Sequence, residues 1–216
     1  MGHKLLSIQL RKQLAHFTVD VELQIENEIV ILFGPSGSGK TTILNCIAGL
    51  AHPEQGHITN NGIDFFNQEK RPLPVQKRNV GYLFQDYALF PHMTVWKNIS
   101  YGMKNANLTN KMIQVLNIKH LLNKYPREIS GGEKQRVALT RALATEPCVL
   151  LLDEPFSALD YETRLQCHEE LLRLHNLWGI PILMVTHDHE EARKLGDRIF
   201  YIKQGKIEKV VQAKLC

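Results

Sequence analysis

The sequence has no apolar run long enough to cross a membrane, and we expect no secretory leader from its first residues. Lys4, Arg11 and Lys12 interrupt the first apolar residues. Cysteine is scarce as well: the four cysteines form no C-x-x-C pair, which indicates free thiols in a reducing compartment. We therefore expect a chain that reaches a membrane only through a partner.

The excess of positive charge is small, since 26 Lys and Arg stand against 22 Asp and Glu. No basic block is interleaved with aromatic residues, so we expect no nucleic-acid partner. The sequence also has no internal repeat and no low-complexity linker. Its 216 residues are enough for one large α/β domain with its own core, and we expect a single domain over residues 1–216.

One short segment concentrates glycine and fits the phosphate-binding pattern G-x-x-x-x-G-K-[ST]. Its residues, with the threonine that follows, are Gly34, Pro35, Ser36, Gly37, Ser38, Gly39, Lys40, Thr41 and Thr42. An apolar run over 29–33 predicts a strand before it, and residues 42–49 predict a helix after it. This context predicts backbone N–H groups around phosphates, Lys40 on the β- and γ-phosphates and the Thr41 hydroxyl on Mg²⁺. A plain glycine turn before a helix would not require Lys40 and Thr41 at these offsets.

A second phosphate-site element follows about a hundred residues later, where four apolar residues from Val149 to Leu152 end in Asp153 and Glu154. Such a run predicts a buried parallel strand, and ligands gather at the carboxyl ends of these strands. We predict that Asp153 holds Mg²⁺ and that Glu154 is the general base that polarises the attacking water. Alone, these carboxylates could equally be surface acids; the phosphate loop favours the functional interpretation.

Between these elements, Ser130-Gly131-Gly132-Glu133-Lys134-Gln135-Arg136 resembles the signature segment of the ATP-binding cassette (ABC) ATPases. Further family segments occur in the family's order: Gln85 after a strand-like run, Ser157 to Asp160, and His187 after the apolar run 182–185. The resemblance covers essentially the whole chain. Ile129 stands where the family more often has leucine, and Glu133-Lys134 where it often has glutamines; neither change removes Ser130, Gly132 or Gln135.

The resemblance implies a P-loop NTPase fold of the α/β class, with a parallel sheet core, an antiparallel β subdomain and a helical subdomain over about residues 86–147. Asn60-Asn61-Gly62 is a good hairpin turn for the β subdomain, and residues 108–122 are expected to be helical. Many members of the groups that this chain resembles carry a small C-terminal β-barrel regulatory domain; we expect none here, because little sequence follows the strand-like run 198–203.

The resemblance also implies a homodimer in the ATP-bound state, packed head to tail. Ser130, Gly131 and Gly132 of one subunit, with Gln135 and Asp160, would then contact the nucleotide that the other subunit holds. The simpler interpretation, in which Ser130 caps a helix and Glu133 completes a capping box, is compatible with this role.

Three further residues receive roles from the resemblance. Gln85 would complete the Mg²⁺ shell, and His187 would contact the γ-phosphate and hold the water and Glu154 in line. Phe17 is either the aromatic residue that stacks on adenine or a core residue, because alternation places it on one face with Val19, Val21, Leu23 and Ile25.

Residues 85–99 resemble importer ATPases in particular. The compact start and the short helical region most resemble the ATPases for molybdate or other oxyanions, although the sulfate, polyamine and sugar groups share much of the same sequence. The resemblance implies membrane permease subunits, an extracytoplasmic solute-binding protein and a place on the cytoplasmic face of the cell membrane. Tyr87, Leu89, Phe90 and Met93 would line a groove for a permease helix, or else pack as core. The alternative is a soluble ABC ATPase in translation or DNA repair; an inactive binding module would lack Glu154 or His187.

Overall fold

A computed structural model describes residues 5–213 of the chain, so Lys4 and Cys216 lie outside the described residues. The strands within this range are β1 (Leu6–Gln13), β2 (Thr18–Ile25), β3 (Ile29–Phe33), β4 (Gln55–Asn60), β5 (Ile63–Asn67), β6 (Val80–Leu83), β7 (Val149–Asp153), β8 (Ile182–Thr186), β9 (Arg198–Lys203) and β10 (Lys206–Gln212). The α-helices are α1 (Lys40–Ala48), α2 (Val95–Ser100), α3 (Ala106–Val115), α4 (Gly131–Ala144), α5 (Tyr161–Trp178) and α6 (His189–Leu195). Short 3₁₀ turns lie at Val75–Lys77, Lys119–Leu121 and Pro126–Glu128.

The strands form a six-stranded sheet in the order β10-β9-β3-β8-β7-β6 and a four-stranded antiparallel sheet in the order β2-β1-β4-β5. In the larger sheet every pair from β9 to β6 is parallel, and β10 is an antiparallel edge strand. The central strands β3, β7 and β8 are apolar because helices or the second sheet cover both of their faces. The parallel core and the antiparallel sheet that the sequence predicts are therefore present.

The two faces of the larger sheet belong to two separate core clusters. Ile31, Leu152 and Met184 point to the cluster that includes residues of helices α3 to α6. Their neighbours along the strands point to the cluster that includes residues of α1 and the antiparallel sheet. The phosphate-loop helix is thus packed on one side of the sheet and the signature helix α4 on the other.

The predicted hairpin and the predicted helix over 108–122 have different outcomes. The hairpin is confirmed: β4 and β5 pair across a turn in which Asn61 and Gly62 have φ of 51° and 78°. The helix is wrong in its second half, because α3 ends at Val115 and Asn117 takes a left-handed φ of 48°. The chain then continues through the 3₁₀ turn at Lys119–Leu121.

Candidate nucleotide-binding site

The phosphate loop joins the end of β3 to the start of α1, where three of its glycines have backbone geometry that other residues rarely adopt. Gly37 and Gly39 have φ of 76° and 100°. A Cβ on Gly34 would lie 2.1 Å from the carbonyl oxygen of Ile202, so only glycine fits against β9. The glycine pattern in the sequence therefore reflects a real constraint on how closely the loop packs.

Lys40 is almost fully buried, and its ammonium group is held by its own loop. Nζ donates to the carbonyl oxygens of Gly34 and Pro35, both at 2.8 Å, and to the Ser38 hydroxyl at 3.3 Å. Burial lowers the pKa of Lys40, and the carboxylates of Glu154 and Asp153 oppose that effect. A buried cation that has neutral acceptors alone within hydrogen-bond distance is well suited to exchange them for anionic phosphate oxygens.

The strand ends bring the acidic residues of β7 to the phosphate loop. Thr41 Oγ1 donates to Asp153 Oδ2 at 2.8 Å, although 112 positions separate the two residues. Burial raises the pKa of Asp153, and Glu154 adds to the rise. A cation would relieve this unfavourable burial of a carboxylate.

A cavity of about 390 Å³ opens beside this pair, and we call it the metal-side cavity. It is lined by Thr41, Asn45, Tyr82, Phe84, Gln85, Asp86 and Asp153. Hydroxyl, amide and carboxylate oxygens are the ligands that Mg²⁺ prefers. The three residues predicted as metal ligands, Thr41, Gln85 and Asp153, are therefore together, and the donor set fits the ion.

Glu154 and His187 follow adjacent parallel strands and meet at the same edge of the sheet. His187 Nδ1 lies 3.3 Å from Glu154 Oε1, and the imidazole is 68% exposed whereas the carboxylate is 23% exposed. A base that a second group orients, next to a phosphate loop, can polarise water for attack on a phosphoryl group.

The backbone of Glu154 is strained and firmly held. Its φ is 50°, which is unusual for a residue with a side chain. Its N–H donates to the carbonyl of Val185 at 3.0 Å, and its own carbonyl accepts from Gln135 Nε2 at 3.1 Å and from the Ser157 hydroxyl at 3.2 Å. These contacts fix the direction of the Glu154 side chain.

Phe17 lies just before β2, and its position is consistent with both interpretations of it. The ring packs against the core cluster that contains Val19 and Val21. It also lines a cavity of about 310 Å³ together with Gly37, Gly39, Lys40, Thr41 and Thr42. Phe17 is half-buried, so part of its side chain is accessible to solvent. Stacking on adenine remains a prediction.

The signature segment opens α4 with a complete capping box. Ser130 Oγ accepts from the N–H of Glu133 at 3.4 Å, and Glu133 Oε2 accepts from the N–H of Ser130 at 2.7 Å. Ser130 and Gly131 are exposed, and nothing stands within 4 Å of a Cβ placed on Gly131. Among the described residues, the Ser130 segment lines neither of the two cavities beside the phosphate loop.

Gln135 and Asp160 occupy different environments from the rest of the predicted site. Gln135 is 1% exposed; its amide donates to the carbonyl of Glu154 and accepts from the N–H of Ala158 at 3.3 Å. It therefore joins α4 to the backbone that carries Glu154. Asp160 is exposed and caps α5, accepting from the N–H of Thr163 at 3.0 Å. Direct nucleotide contact by either residue remains a prediction.

Sequence reasoning missed two arginines that support the site, the buried Arg78 and the half-buried Arg141. Arg78 is 1% exposed and donates to the carbonyls of Cys46 and Ile47 at the end of α1, and of Leu73. Arg141 of α4 donates to the carbonyls of Tyr87 and Ala88, whose φ values of 64° and 41° are left-handed. Both bind backbone carbonyls that are distant in sequence, which no local pattern indicates.

An apolar groove of about 410 Å³ lies between the end of α1, β6 and the helices after it. Its lining residues are Ala48, Leu50, Val75, Val80, Gly81, Tyr82, Phe84, Ala88, Phe90, Tyr101, Gly102, Arg141, Ala142 and Thr145. Of the four residues predicted for such a groove, Phe90 lines it, whereas Tyr87 and Leu89 pack against the core. Met93 is half-buried and lies outside this lining.

The phosphate loop, the acidic strand end and the α/β architecture define a P-loop nucleoside triphosphatase. The family model for the ABC transporter matches residues 18–157 of this chain. The chain therefore belongs to the ABC transporter family. In the described residues, no helix is long and apolar enough to cross a membrane.

Relatives and a solved structure agree with this assignment. The chain is 47% identical over 204 residues to a sulfate/thiosulfate import ATP-binding protein of Agrobacterium fabrum, covering 88% of this chain and 58% of the relative. It is 41% identical over 208 residues to a molybdate/tungstate import ATP-binding protein of Archaeoglobus fulgidus, covering 94% of this chain and 85% of that relative. A dimeric post-hydrolysis state of the ATP-binding cassette MJ0796 with ADP and Pi superposes with a TM-score of 0.83 at 29% identity, covering 98% of this chain and all of that one.

The chain spans only part of most of these relatives. Seven curated relatives that are 41–47% identical are matched over 58–62% of their own length.

Proposed function

We propose that this chain binds and hydrolyses ATP with Mg²⁺ as the ATP-binding subunit of an importer for a small solute, in the class of molybdate, sulfate and related oxyanions. The observation that carries the chemistry is the meeting of Lys40, Thr41, Asp153, Glu154 and His187 at one sheet edge. The names of the relatives support import, and they include both sulfate and molybdate, so the cargo is proposed as a class.

In this proposal the loop N–H groups and Lys40 hold the phosphates. Thr41, Asp153 and Gln85 would hold Mg²⁺, which would supply positive charge against the charge that develops on the phosphates. Glu154 accepts the proton of the attacking water as the water oxygen bonds to the γ-phosphorus and the bond to the β-phosphate oxygen breaks. His187 orients Glu154 and contacts the γ-phosphate. Phe17 stacks on adenine.

The signature segment completes the site in a second copy of the chain. Ser130 and the amides of Gly131 and Gly132 present an exposed helix N-terminus, which is an anion-binding end. Gln135 and Asp160 support or contact the nucleotide from that side. The ATP-bound form is then a head-to-tail homodimer, and hydrolysis releases it because the γ-phosphate contacts are lost. A solved relative of this fold is dimeric, which supports the proposal.

The apolar groove is the proposed docking site for a helix of a membrane permease. Groove recognition of a helix needs apolar anchors, and Phe90 and Tyr101 supply them here. The chain would lie on the cytoplasmic face of the membrane through this contact, and a separate solute-binding protein would deliver the cargo.

The test is affinity purification of the tagged chain from gently solubilised membranes of its native cells. We expect a permease to co-purify and its loss with Tyr101→Glu, because Tyr101 is a 69% exposed residue of the groove. Leu177→Glu is the matched control, since Leu177 is 64% exposed at the end of α5 and outside the groove. Ribosomal or DNA-repair proteins in place of a permease would overturn the transport proposal and favour a soluble ABC ATPase.

A further inference from the structure

Two aromatic residues of the β6 segment, Tyr82 and Phe84, line both the apolar groove and the metal-side cavity. They alternate with the buried Leu83, so both rings stand on the same face. The rings are stacked, with centroids 4.1 Å apart and planes inclined by 24°. A single aromatic wall therefore separates the surface proposed for a partner from the residues proposed for the metal ion.

The Tyr82 side of this wall is hydrogen-bonded to the phosphate-loop helix. Tyr82 Oη donates to Asn45 Oδ1 at 2.9 Å. Asn45 lies four residues after Thr41 on α1, which places both side chains on the same helix face, and both line the metal-side cavity. A movement of the Tyr82 ring would therefore displace the helix face that carries Thr41.

The other end of α1 is part of the groove itself. Ala48 and Leu50 line the groove, and the backbone carbonyl of Asn45 accepts from the N–H of Leu50 at 2.9 Å. Burial raises the pKa of Tyr82, with the carboxylates of Asp153 and Asp86 adding to the rise, so the hydroxyl remains a donor at neutral pH. Asn45 is thus connected to the groove by its side chain and by its backbone.

We propose that Tyr82 is a positioning residue through which occupation of the apolar groove controls the metal side of the nucleotide site. The inference rests on the proposed function, because it takes the groove as a docking site and Thr41 as a ligand of Mg²⁺. A helix seated in the groove presses on the Tyr82–Phe84 wall, and the hydroxyl bond to Asn45 conveys that pressure to Thr41. Without the hydroxyl, the side-chain link between the groove and Thr41 is lost, and only the backbone bond from Leu50 to Asn45 remains.

The first test compares ATP affinity with and without Mg²⁺ in Tyr82→Phe, which keeps the ring and its stacking. Loss of one hydrogen bond should reduce the Mg²⁺-dependent gain in ATP affinity by about three- to tenfold. Affinity measured in excess EDTA should not change, which a general structural defect would not reproduce. Tyr161→Phe is the matched control, because Tyr161 is 71% exposed and lies outside both linings.

The second test fills the groove from its rim with Leu50→Trp, since Leu50 is 51% exposed. In the wild-type background, Leu50→Trp should shift the Mg²⁺-dependent gain in ATP affinity at least about twofold. In the Tyr82→Phe background the shift should be clearly smaller, because only the backbone bond to Asn45 remains. An equal shift in both backgrounds, or none in either, would overturn the coupling. A wild-type chain that binds no ATP would overturn the proposed function itself, whereas normal ATP binding with an unaffected Tyr82→Phe would overturn only the inference.

Discussion

The phosphate loop and the signature segment are both glycine-rich helix N-termini, yet their hydrogen bonds are arranged in opposite ways. Helix α1 has Gly39 as its N-cap and therefore no side-chain cap, and its buried Lys40 is bonded to oxygens of its own loop. Helix α4 has Ser130 as its N-cap with a complete capping box, and this N-terminus is exposed. The first end leaves its donors for a ligand within the same chain. The second is satisfied by its own cap, and in the proposed dimer its ligand is held by a second chain.

The signature segment is nevertheless connected to Glu154, which follows β7 beside the phosphate loop. Gln135 lies on α4, five residues after Ser130, and donates to the carbonyl of Glu154 at 3.1 Å. Gly132 packs so closely on the segment after Glu154 that a Cβ would lie 2.9 Å from the carbonyl oxygen of Ala158. A contact made by the signature segment can therefore reach the backbone that aims the proposed base.

The largest expected effect comes from removing the reaction while leaving both helix ends intact. Glu154→Gln keeps the shape of the side chain but cannot accept a proton, so we expect ATP turnover to fall by about a hundred- to ten-thousand-fold. ATP affinity and ATP-dependent dimerisation should be retained, as measured by calorimetry and size exclusion. Glu169→Gln, an exposed change on α5, is the control. Turnover within a factor of about two of the wild type would remove Glu154 from this role.

A smaller effect is expected from placing a charge at the signature segment without removing its cap. Aspartate is as good an N-cap as serine, so Ser130→Asp should leave the fold unchanged. Its carboxylate would face the γ-phosphate across the proposed dimer, and such like-charge contacts cost several kcal/mol, so ATP-dependent dimerisation should weaken on the order of a hundredfold or more. Sedimentation of Ser130→Asp in the Glu154→Gln background, in which we expect ATP not to be turned over, measures the ATP-dependent dimerisation.

The matched control places the same residue at another cap. Asn105 caps α3 by accepting from the N–H of Leu108 at 3.1 Å and is exposed. Asn105→Asp should therefore leave dimerisation as it is. A dimer that tolerates Ser130→Asp as well would contradict the head-to-tail arrangement.

The same comparison explains which parts of the site the sequence could predict. The phosphate loop, the acidic strand end and the cap at Ser130 were all predictable, because each depends on residues within a few positions of one another and on a strand or helix that starts there. The hairpin at Asn61 was predictable for the same reason. The end of α3 at Val115 was not, because the left-handed Asn117 interrupts a run that remains apolar afterwards.

The supporting contacts were unpredictable because they join distant parts of the chain. Arg78 reaches carbonyls 31 and 32 positions away, and Arg141 reaches carbonyls 53 and 54 positions away. Arg78 is also the last residue of the stretch 70–78, which two prolines interrupt and which therefore predicts only a loop. Gln135 occupies a family position, but only the fold shows that its amide is turned to the backbone of Glu154. The edge strand β10 was missed because it is largely exposed and has little alternation.

The smallest expected effects are on stability, and they should have opposite signs at the two ends. Asp153 has a raised pKa in the folded chain, so the folded state binds a proton more readily than the unfolded one, and stability falls as pH rises from the usual aspartate value through the folded pKa. Without nucleotide or metal ion, Asp153→Asn should therefore raise the melting temperature by a few degrees at neutral pH. The gain should shrink as pH falls through that window.

Ser130→Ala should instead lower stability by roughly 0.5–1 kcal/mol at every pH in this range, because a neutral hydroxyl cap is lost. Thermal melts of both variants with and without Mg²⁺-ATP complete the contrast. Ligand should stabilise the wild type and Ser130→Ala, but much less Asp153→Asn, since a metal ligand is missing. If Asp153→Asn is instead less stable than the wild type without ligand, Thr41 and Lys40 alone satisfy the Asp153 carboxylate. The polar groups at the phosphate loop would then need no ligand, like those of the signature segment.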